Sequence, residues 1–168
     1  MKNTKKLLTW ILVAVLVVLT VVLVACVDKP QPVELTDLKL PELKNNQMAV
    51  IIKNGENNYT SYTVTLGKGG TDATTAEGVI QYLHDEVGLQ LTWVDGDYGK
   101  FLTAIGGAKV VKLNEYVMVM TSVEKDKGNW AGVDTYVVDG VTIVSSQVGV
   151  TEMTVEPGAI IYFEIATF

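Results

Sequence analysis

Residues 74–88, TTAEGVIQYLHDEVG, have the spacing of apolar side chains that an α-helix requires. The residues that recur at three- and four-residue intervals are Ala76, Val79, Ile80, Leu83 and Val87. Side chains at this spacing share one helical face, which packs against a neighbouring layer. Thr74 and Glu77 fit a capping box at the start, and Gly88 is a typical end signal. We therefore predict one helix with this face buried.

A β-hairpin is predicted before the helix. Residues 48–53 are apolar and rich in β-branched side chains, and Asn54-Gly55 is a turn pair. Residues 59–66 then alternate, with Tyr62, Val64 and Leu66 on one face. Two such runs joined by an Asn-Gly pair are typical of a hairpin.

The chain after the helix reads as a series of strands. They are predicted at residues 89–93, 101–105, 116–123, 136–144 and 160–165. Residues 116–123 are apolar on both faces, as in a central strand. Asp139-Gly140 predicts an additional hairpin, and the Glu-Pro-Gly sequence at 156–158 predicts a type II turn. The order predicts an α+β fold with one helix packed on a mostly antiparallel sheet.

The N-terminus has the pattern of a bacterial export signal. Lysines within the first six residues precede an uncharged run over residues 7–25, and the run ends in Leu-Val-Ala-Cys, which matches a lipobox. We predict a lipoprotein signal peptide at 1–25 and lipid attachment at Cys26. An uncleaved transmembrane anchor is the alternative, because spanning a bilayer takes about 20 apolar residues. Both interpretations place the remaining chain outside the cell membrane.

The residues after the signal indicate a tether and then one domain. Pro30, Pro32 and Pro41 lie among charged residues without a sustained apolar period. Residues 26–46 are therefore predicted to be the lipidated cysteine and an extended, semi-rigid tether. Residues 47–168 form the predicted domain, held on the outer face of the cell membrane by the lipid.

The charge of the mature chain disfavours both nucleic acid and anionic ligands as partners. Without its leader the chain keeps ten lysines and 19 acidic residues, a net charge of −9, and it contains no arginine. Arginine is the residue best suited to bidentate phosphate contacts. Most of the acidity is explained by the solubility of an exported domain.

No catalytic or metal-binding constellation is apparent in the sequence. Cys26 is the only cysteine, and lipidation removes its thiol. His84 is the only histidine and lies off the apolar helix face, so we expect a solvated residue rather than a base or cobalt ligand. Residues 95–99 lack the oxygen ligands of a calcium loop, and the glycines at 67–70 lack the partners of a phosphate loop. We therefore expect no enzymatic activity and no resident cofactor.

Three glycine-containing segments carry a family resemblance. They are TDATTAEGVIQYL at 71–83, YGKFLTAIGG at 98–107 and GVTEMTVEPG at 149–158. In this order they resemble the transcobalamin-like C-terminal domain family of Gram-positive surface proteins, over about residues 48–165. The resemblance implies a β-grasp-like fold that binds a soluble ligand. In the animal cobalamin carriers the related domain closes over the vitamin.

Two features depart from this family. Members often carry a tyrosine-tryptophan pair in the strand after the glycine motif, whereas this chain has Tyr116-Val117. Residues 124–148 are also longer than in the carriers and contain their own hairpin. Ligand contacts of the carriers therefore do not transfer residue by residue.

The candidate ligand-binding residues are Tyr98, Gly99, Phe101 and Trp130. The first three belong to the glycine motif that carries the resemblance. Trp130 lies in a polar, glycine-containing segment where periodicity gives no reason for burial, so it is either a binding anchor or a lid over the core. Trp93 alternates with Leu89 and Leu91 and is predicted to lie in the core.

Two functions are consistent with these features. The first is a surface lipoprotein that captures a small soluble ligand such as a corrinoid (cobalamin-like) and delivers it to an importer. The second is a surface protein-protein interaction or adhesion module without a small-molecule ligand, which the acidic exterior and the proline-containing tether favour.

The lipid anchor gives a first prediction. Because signal cleavage requires the lipidated thiol, Cys26→Ser should accumulate as an unprocessed precursor that retains residues 1–25. Mass spectrometry of the membrane fraction would identify this species. A mature wild-type chain that starts elsewhere than Cys26, without lipid, would contradict the lipoprotein assignment.

Overall fold

The computed structural model describes residues 31–96 and 99–168. Cys26, the signal peptide, Asp97 and Tyr98 lie outside the described residues. The elements are β1 (Val33–Glu34), β2 (Gln47–Gly55), β3 (Asn58–Thr65), α1 (Ala76–Val87), β4 (Leu91–Gly96), β5 (Gly99–Ile105), β6 (Ala108–Lys109), β7 (Glu115–Thr121), a 3₁₀ helix (Glu124–Asp126), β8 (Thr135–Val138), β9 (Val141–Ser145) and β10 (Ile160–Thr167). The α+β class with one α-helix is therefore confirmed for the described part of the chain.

The strands form two sheets. The larger has seven strands in the order β1-β8-β9-β7-β10-β2-β3, and the smaller has three in the order β4-β5-β6. Pairing is antiparallel except for β1 with β8 and β10 with β2. β7 is the middle strand of the larger sheet, in agreement with its apolar sequence. The finer prediction, a β-grasp arrangement, remains an implication of the resemblance.

The larger sheet is buried on both faces. Along β10, Ile161 and Phe163 join one buried cluster, whereas Ile160 and Tyr162 join another. This division follows from the two-residue alternation of a strand. We call the first cluster the first core, which also contains residues of α1 and the smaller sheet. The opposite cluster is the second core, and the remainder of the structure follows from how these two faces are covered.

Helix α1 covers part of the first core. Its buried residues are Ala76, Val79, Ile80 and Leu83, in agreement with the predicted face. Val87 is 59% exposed, so the prediction that it belongs to the buried face was wrong. The helix ends at Val87, and Gly88 follows in the left-handed conformation. The N-cap is Thr75 rather than Thr74, since the Gly78 N–H donates to Thr75 Oγ1 at 3.3 Å.

Two of the predicted turns are confirmed. Asp139 and Gly140 both have positive φ, 46° and 80°, as a type I′ hairpin turn between β8 and β9 requires. Gly158 has φ of 82°, and the Ala159 N–H donates to the Glu156 carbonyl at 3.0 Å, as in a type II turn.

The first hairpin turns later than predicted. Gly55 pairs with Asn58, so Glu56 and Asn57 form the turn, and Asn57 adopts a positive φ of 55°. Asn54 instead lies in β2, where its side chain donates to Thr60 Oγ1 at 2.7 Å and accepts from the Gly107 N–H at 3.0 Å. The tertiary contact with Gly107 links the two sheets and accounts for the shift.

The second core is covered by a segment that we call the strap, residues 33–43. Leu38 is buried there, and Leu35, Leu40 and Leu43 pack around it. The compact unit begins at Pro32, so it includes much of the stretch that the sequence predicts as a tether. The division into signal, tether and domain otherwise remains a prediction.

Asp139 fastens the strap to the hairpin between β8 and β9. Its Oδ2 accepts from the Leu40 N–H at 2.8 Å, and its Oδ1 accepts from Lys39 Nζ at 3.1 Å. These bonds, the Leu40 N–H first, hold the pKa of the Asp139 carboxyl below its ordinary value. The strap and the turn therefore stabilise each other.

A buried carboxylate accompanies the second core. Glu164 accepts hydrogen bonds from Tyr136 Oη at 2.6 Å, Tyr162 Oη at 3.1 Å and Lys53 Nζ at 3.0 Å. Burial, reinforced by the neighbouring carboxylate, raises the pKa of Tyr136 and of Tyr162. A buried charge with several donors is satisfied rather than reactive, so this cluster is structural.

Within residues 31–96 and 99–168, no helix has the length and hydropathy to cross a membrane.

Burial of the strap gives a second prediction. Leu38 is only 3% exposed, so Leu38→Ala should lower the free energy of unfolding by about 2–5 kcal/mol through lost burial and a residual cavity. Leu113→Ala is the control, because Leu113 is fully exposed and should change stability by less than about 0.5 kcal/mol. Denaturant titration measures both. Equal effects would contradict the packing of the strap on the sheet.

The Asp139 contacts give a third prediction. Asp139→Asn preserves the type I′ turn but removes the negative charge. Because the folded pKa lies below the ordinary value of 3.8, the carboxylate stabilises the fold above that value and loses its effect as pH falls through the folded pKa. Near neutral pH the Tm of the wild type should be higher than that of the variant, and this difference in Tm should vanish in acid. A difference that does not vary with pH would contradict the assignment.

Candidate functional site

A groove opens between the two sheets. It encloses about 440 Å³, and β5, β7 and β10 supply most of its walls. We call it the apolar groove, and its apolar lining consists of Phe101, Leu102, Val110, Tyr116, Val117, Val119, Val150 and Phe163. Lys100 and Glu115 add charges to the lining, and Thr103 adds a hydroxyl group.

The groove is apolar because it is the open end of the first core. Leu102, Val150 and Phe163 are buried members of that core, and Val117 and Val119 are half-buried against it. Phe101 and Tyr116 are 49% and 40% exposed. Large aromatic side chains at this level of exposure leave apolar surface available to a ligand. Each sheet thus contributes one accessible ring.

Glu115 fixes the loop beside the groove. Its Oε2 accepts from the Val111 and Lys112 N–H groups at 2.9 and 3.0 Å, and its Oε1 lies 3.3 Å from Lys112 Nζ. The Val111 N–H makes the largest contribution to lowering the pKa of this carboxyl. Glu115 is therefore engaged with the protein itself and holds residues 110–114 in place.

A second, polar cavity adjoins the first. We call it the polar cleft; it encloses about 270 Å³, and its lining includes Lys53, Asn54, Gly107, Lys109 and Glu115. Glu115 lines both cavities. The two cavities are therefore neighbours that share Glu115, at the start of β7.

A buried aspartate fixes the loop that supplies Val150. Asp126 is 6% exposed, and its Oδ2 accepts from the Thr154 N–H at 2.6 Å. On the helix side, the Val150 carbonyl accepts from the Glu77 N–H at 2.9 Å, and the Met153 carbonyl accepts from the Ala76 N–H at 2.9 Å. The first turn of α1 thus holds one wall of the groove in place.

The predicted site residues are only partly brought together. Phe101 lines the groove, and Gly99 begins β5 and pairs with Gly96. Tyr98 lies outside the described residues. Trp130 is 49% exposed and does not line the groove. Its role as a ligand anchor therefore remains a prediction.

Trp130 packs on Gly128. The atoms nearest to a Cβ built at position 128 belong to the Trp130 ring, and they leave no room for a side chain there. Gly128 also donates its N–H to the Ser145 carbonyl at 2.8 Å, next to β9. Glycine at 128 thus permits the ring to lie flat on the backbone.

Several groove residues escaped the sequence prediction. Glu115, Tyr116 and Val119 lie on β7, whose apolar character on both faces was recognised but interpreted only as a central position in the sheet. Tyr116-Val117 was noted as the loss of a family tryptophan. Tyr116 nevertheless supplies an accessible ring, and it is itself accompanied by Phe168, whose ring centroid lies 6.1 Å away.

The remaining singled-out side chains have structural surroundings. His84 is exposed, and its Nδ1 lies 2.7 Å from the Leu89 carbonyl oxygen at the end of α1, to which it donates. Trp93 is half-buried against the first core, with Lys100 Nζ 5.8 Å from its ring centroid. Among the described residues, no group of three or more histidine, cysteine or acidic side chains is arranged to hold a metal ion.

Comparisons with known proteins were made for sequence and structure. No protein-family model matches the chain, and no curated protein is significantly similar. A candidate metal binding protein from Ruminococcus gnavus ATCC 29149 aligns with 73% of this chain and 98% of its own, at 12% identity and a TM-score of 0.48. Haptocorrin in complex with Cbi aligns with 77% of this chain and 27% of its own, at 11% identity and a TM-score of 0.49. Similarity at this level transfers neither ligand nor activity.

Proposed function

We propose that this protein is a lipid-anchored surface protein that captures a small soluble ligand in the apolar groove and passes it to an importer. The observation that carries the proposal is the groove itself. Its volume of about 440 Å³ falls within the range of roughly 300–1,000 Å³ that is typical of small-molecule sites. The signal and lipobox pattern of residues 1–26 supports the location.

The lining supports binding rather than catalysis. Apart from the hydroxyl groups of Thr103 and Tyr116, the polar side chains of the lining are Lys100 and Glu115. Glu115 already accepts two backbone hydrogen bonds and contacts Lys112. A general base needs a lone pair free to take a proton from substrate, and this carboxylate is committed elsewhere. We therefore assign no enzymatic activity to the groove.

A corrinoid is the first ligand to test. The motifs at 71–83, 98–107 and 149–158 support this choice through their resemblance to the transcobalamin-like family. Phe101 and Tyr116 would contribute the apolar and aromatic surface that a broad, flat ligand requires. The β-grasp assignment belongs to the same proposal.

Binding of another protein is the second candidate function. Leu113 is fully exposed in the loop between β6 and β7, and Val111 in the same loop is also exposed. Phe168 is exposed as well, and its ring lies beside that of Tyr116 at the start of β7. Apolar side chains in this number on a loop favour a contact with a macromolecular partner. If this alternative is correct, no small molecule binds in the groove, and Phe101→Ala changes no small-molecule affinity.

Calorimetry on the detergent-solubilised, full-length lipoprotein tests the proposal as the fourth prediction. Cobinamide and cobalamin should bind saturably, and Tyr116→Ala or Phe101→Ala should weaken binding by about 30-fold or more, the equivalent of about 2 kcal/mol for an aromatic anchor. Val87→Ala, an exposed apolar position on α1 outside the groove lining, is the control and should bind like wild type.

Trp130→Ala separates two locations for the ligand. Unchanged affinity places it in the groove, whereas a loss confined to this variant would move the site to the 127–132 segment and contradict the groove assignment. Native mass spectrometry of the purified protein extends the test to unidentified ligands. No binding heat together with no co-purified small molecule would favour the protein-binding alternative.

A further inference from the structure

We propose that the natural ligand is amphipathic and anionic, with an apolar body in the apolar groove and a negatively charged end in the polar cleft. This inference rests on the proposed capture of a small soluble ligand in the groove, and it specifies for that ligand a chemical class different from a corrinoid. Three observations carry it: the two cavities adjoin, their linings differ in character, and a lysine in the second is left available.

The two cavities share part of their lining. Glu115 lines both, and the loop that it fixes contributes Val110 to the groove and Val111 to the cleft. In this proposal a molecule longer than the groove extends past the start of β7 into the cleft. The first space is walled mainly by aromatic and aliphatic side chains, whereas the second has a mixed lining. Lysine, asparagine, glutamate and glycine residues there alternate with the apolar residues Ala108, Val111 and Ile165.

The cleft has one cation that is free to bind an anion. Lys53 Nζ is held 3.0 Å from the buried Glu164, and Glu115 is engaged with Lys112. Lys109 is exposed, and it forms no ion pair with any residue in 31–96 or 99–168. Its ammonium group is therefore the one in the cleft available for a charged ligand.

The overall charge makes this local arrangement meaningful. The mature chain has a net charge of −9, which repels anions at long range. Lys53, Lys100 and Lys109 nevertheless line these two cavities, together with the carboxylate of Glu115. At physiological ionic strength charges are screened over about 8 Å, so the groups that line the cleft outweigh distant ones. Lys53 is paired with Glu164 and Glu115 with Lys112, which leaves Lys109, among the residues that the structure describes, as the uncompensated charge of the cleft.

Two probes with the same aromatic body and different charge test this inference. Naphthalene-2-sulfonate and its neutral counterpart naphthalene-2-sulfonamide share an aromatic body. Calorimetry on the detergent-solubilised full-length lipoprotein, with titrations into empty micelles subtracted, should show the sulfonate binding about tenfold more tightly, as expected for a charge-assisted hydrogen bond. Added salt should weaken the binding of the sulfonate and leave the affinity of the sulfonamide unchanged.

Matched variants locate the charge. Lys109→Gln should reduce sulfonate affinity about tenfold and leave sulfonamide affinity within about twofold. Lys68→Gln makes the same change in net charge at an exposed lysine outside both cavities, and it should have no effect on either probe. Phe101→Ala should weaken both probes, because they share the apolar body.

The outcomes separate this inference from the proposed function. Equal affinity of both probes, with Lys109→Gln behaving like Lys68→Gln, would overturn the anionic ligand and leave the groove as a binding site. Sulfonate binding that does not respond to Phe101→Ala would overturn the amphipathic arrangement. Absence of binding by either probe would overturn the amphipathic, anionic ligand, whereas the groove as a binding site is tested separately by the corrinoid calorimetry and native mass spectrometry.

Discussion

The structure depends on one constraint: the seven-stranded sheet is apolar on both faces, so both faces must be kept from water. Alternating residues of β2 and β10 feed two separate buried clusters. Helix α1 and the three-stranded sheet cover one face, and the strap covers the other. Hydrophobic burial on this scale is the main favourable contribution to folding. The only cysteine of the chain, Cys26, lies outside the described residues, so the described part of the fold is held by burial and not by a disulfide.

The groove is a consequence of covering one face with two different elements. The helix packs closely, with four residues buried, but the smaller sheet meets the larger one only in part. The hydrogen bond from the Gly107 N–H to the Asn54 side chain joins the two sheets on one side. The first core is open to solvent where the exposed rings of Phe101 and Tyr116 lie. The candidate site is thus the place where the covering of the first core is incomplete.

Local signals predicted local structure well. Asp139-Gly140 and Glu156-Pro157-Gly158 dictate their own backbone conformations, so both turns follow from sequence. The turn predicted at Asn54-Gly55 was wrong because the Asn54 side chain accepts a hydrogen bond from Gly107, a residue distant in sequence. The strap was missed because its leucines have no regular period and gain their burial only from a sheet formed later in the chain. Phe101 was predicted through a motif, whereas Glu115 and Tyr116 belong to the site only because two sheets meet there.

The strap also has a mechanical consequence. It is the first part of the compact unit after the N-terminal segment, so in an anchored chain any pulling force from the membrane enters the fold there. The load meets the short parallel pairing of β1 with β8 and the bonds to Asp139. These contacts lie on the second core, whereas the groove is the open end of the first core. Tension in such an anchored chain would therefore peel the strap before it deforms the walls of the groove.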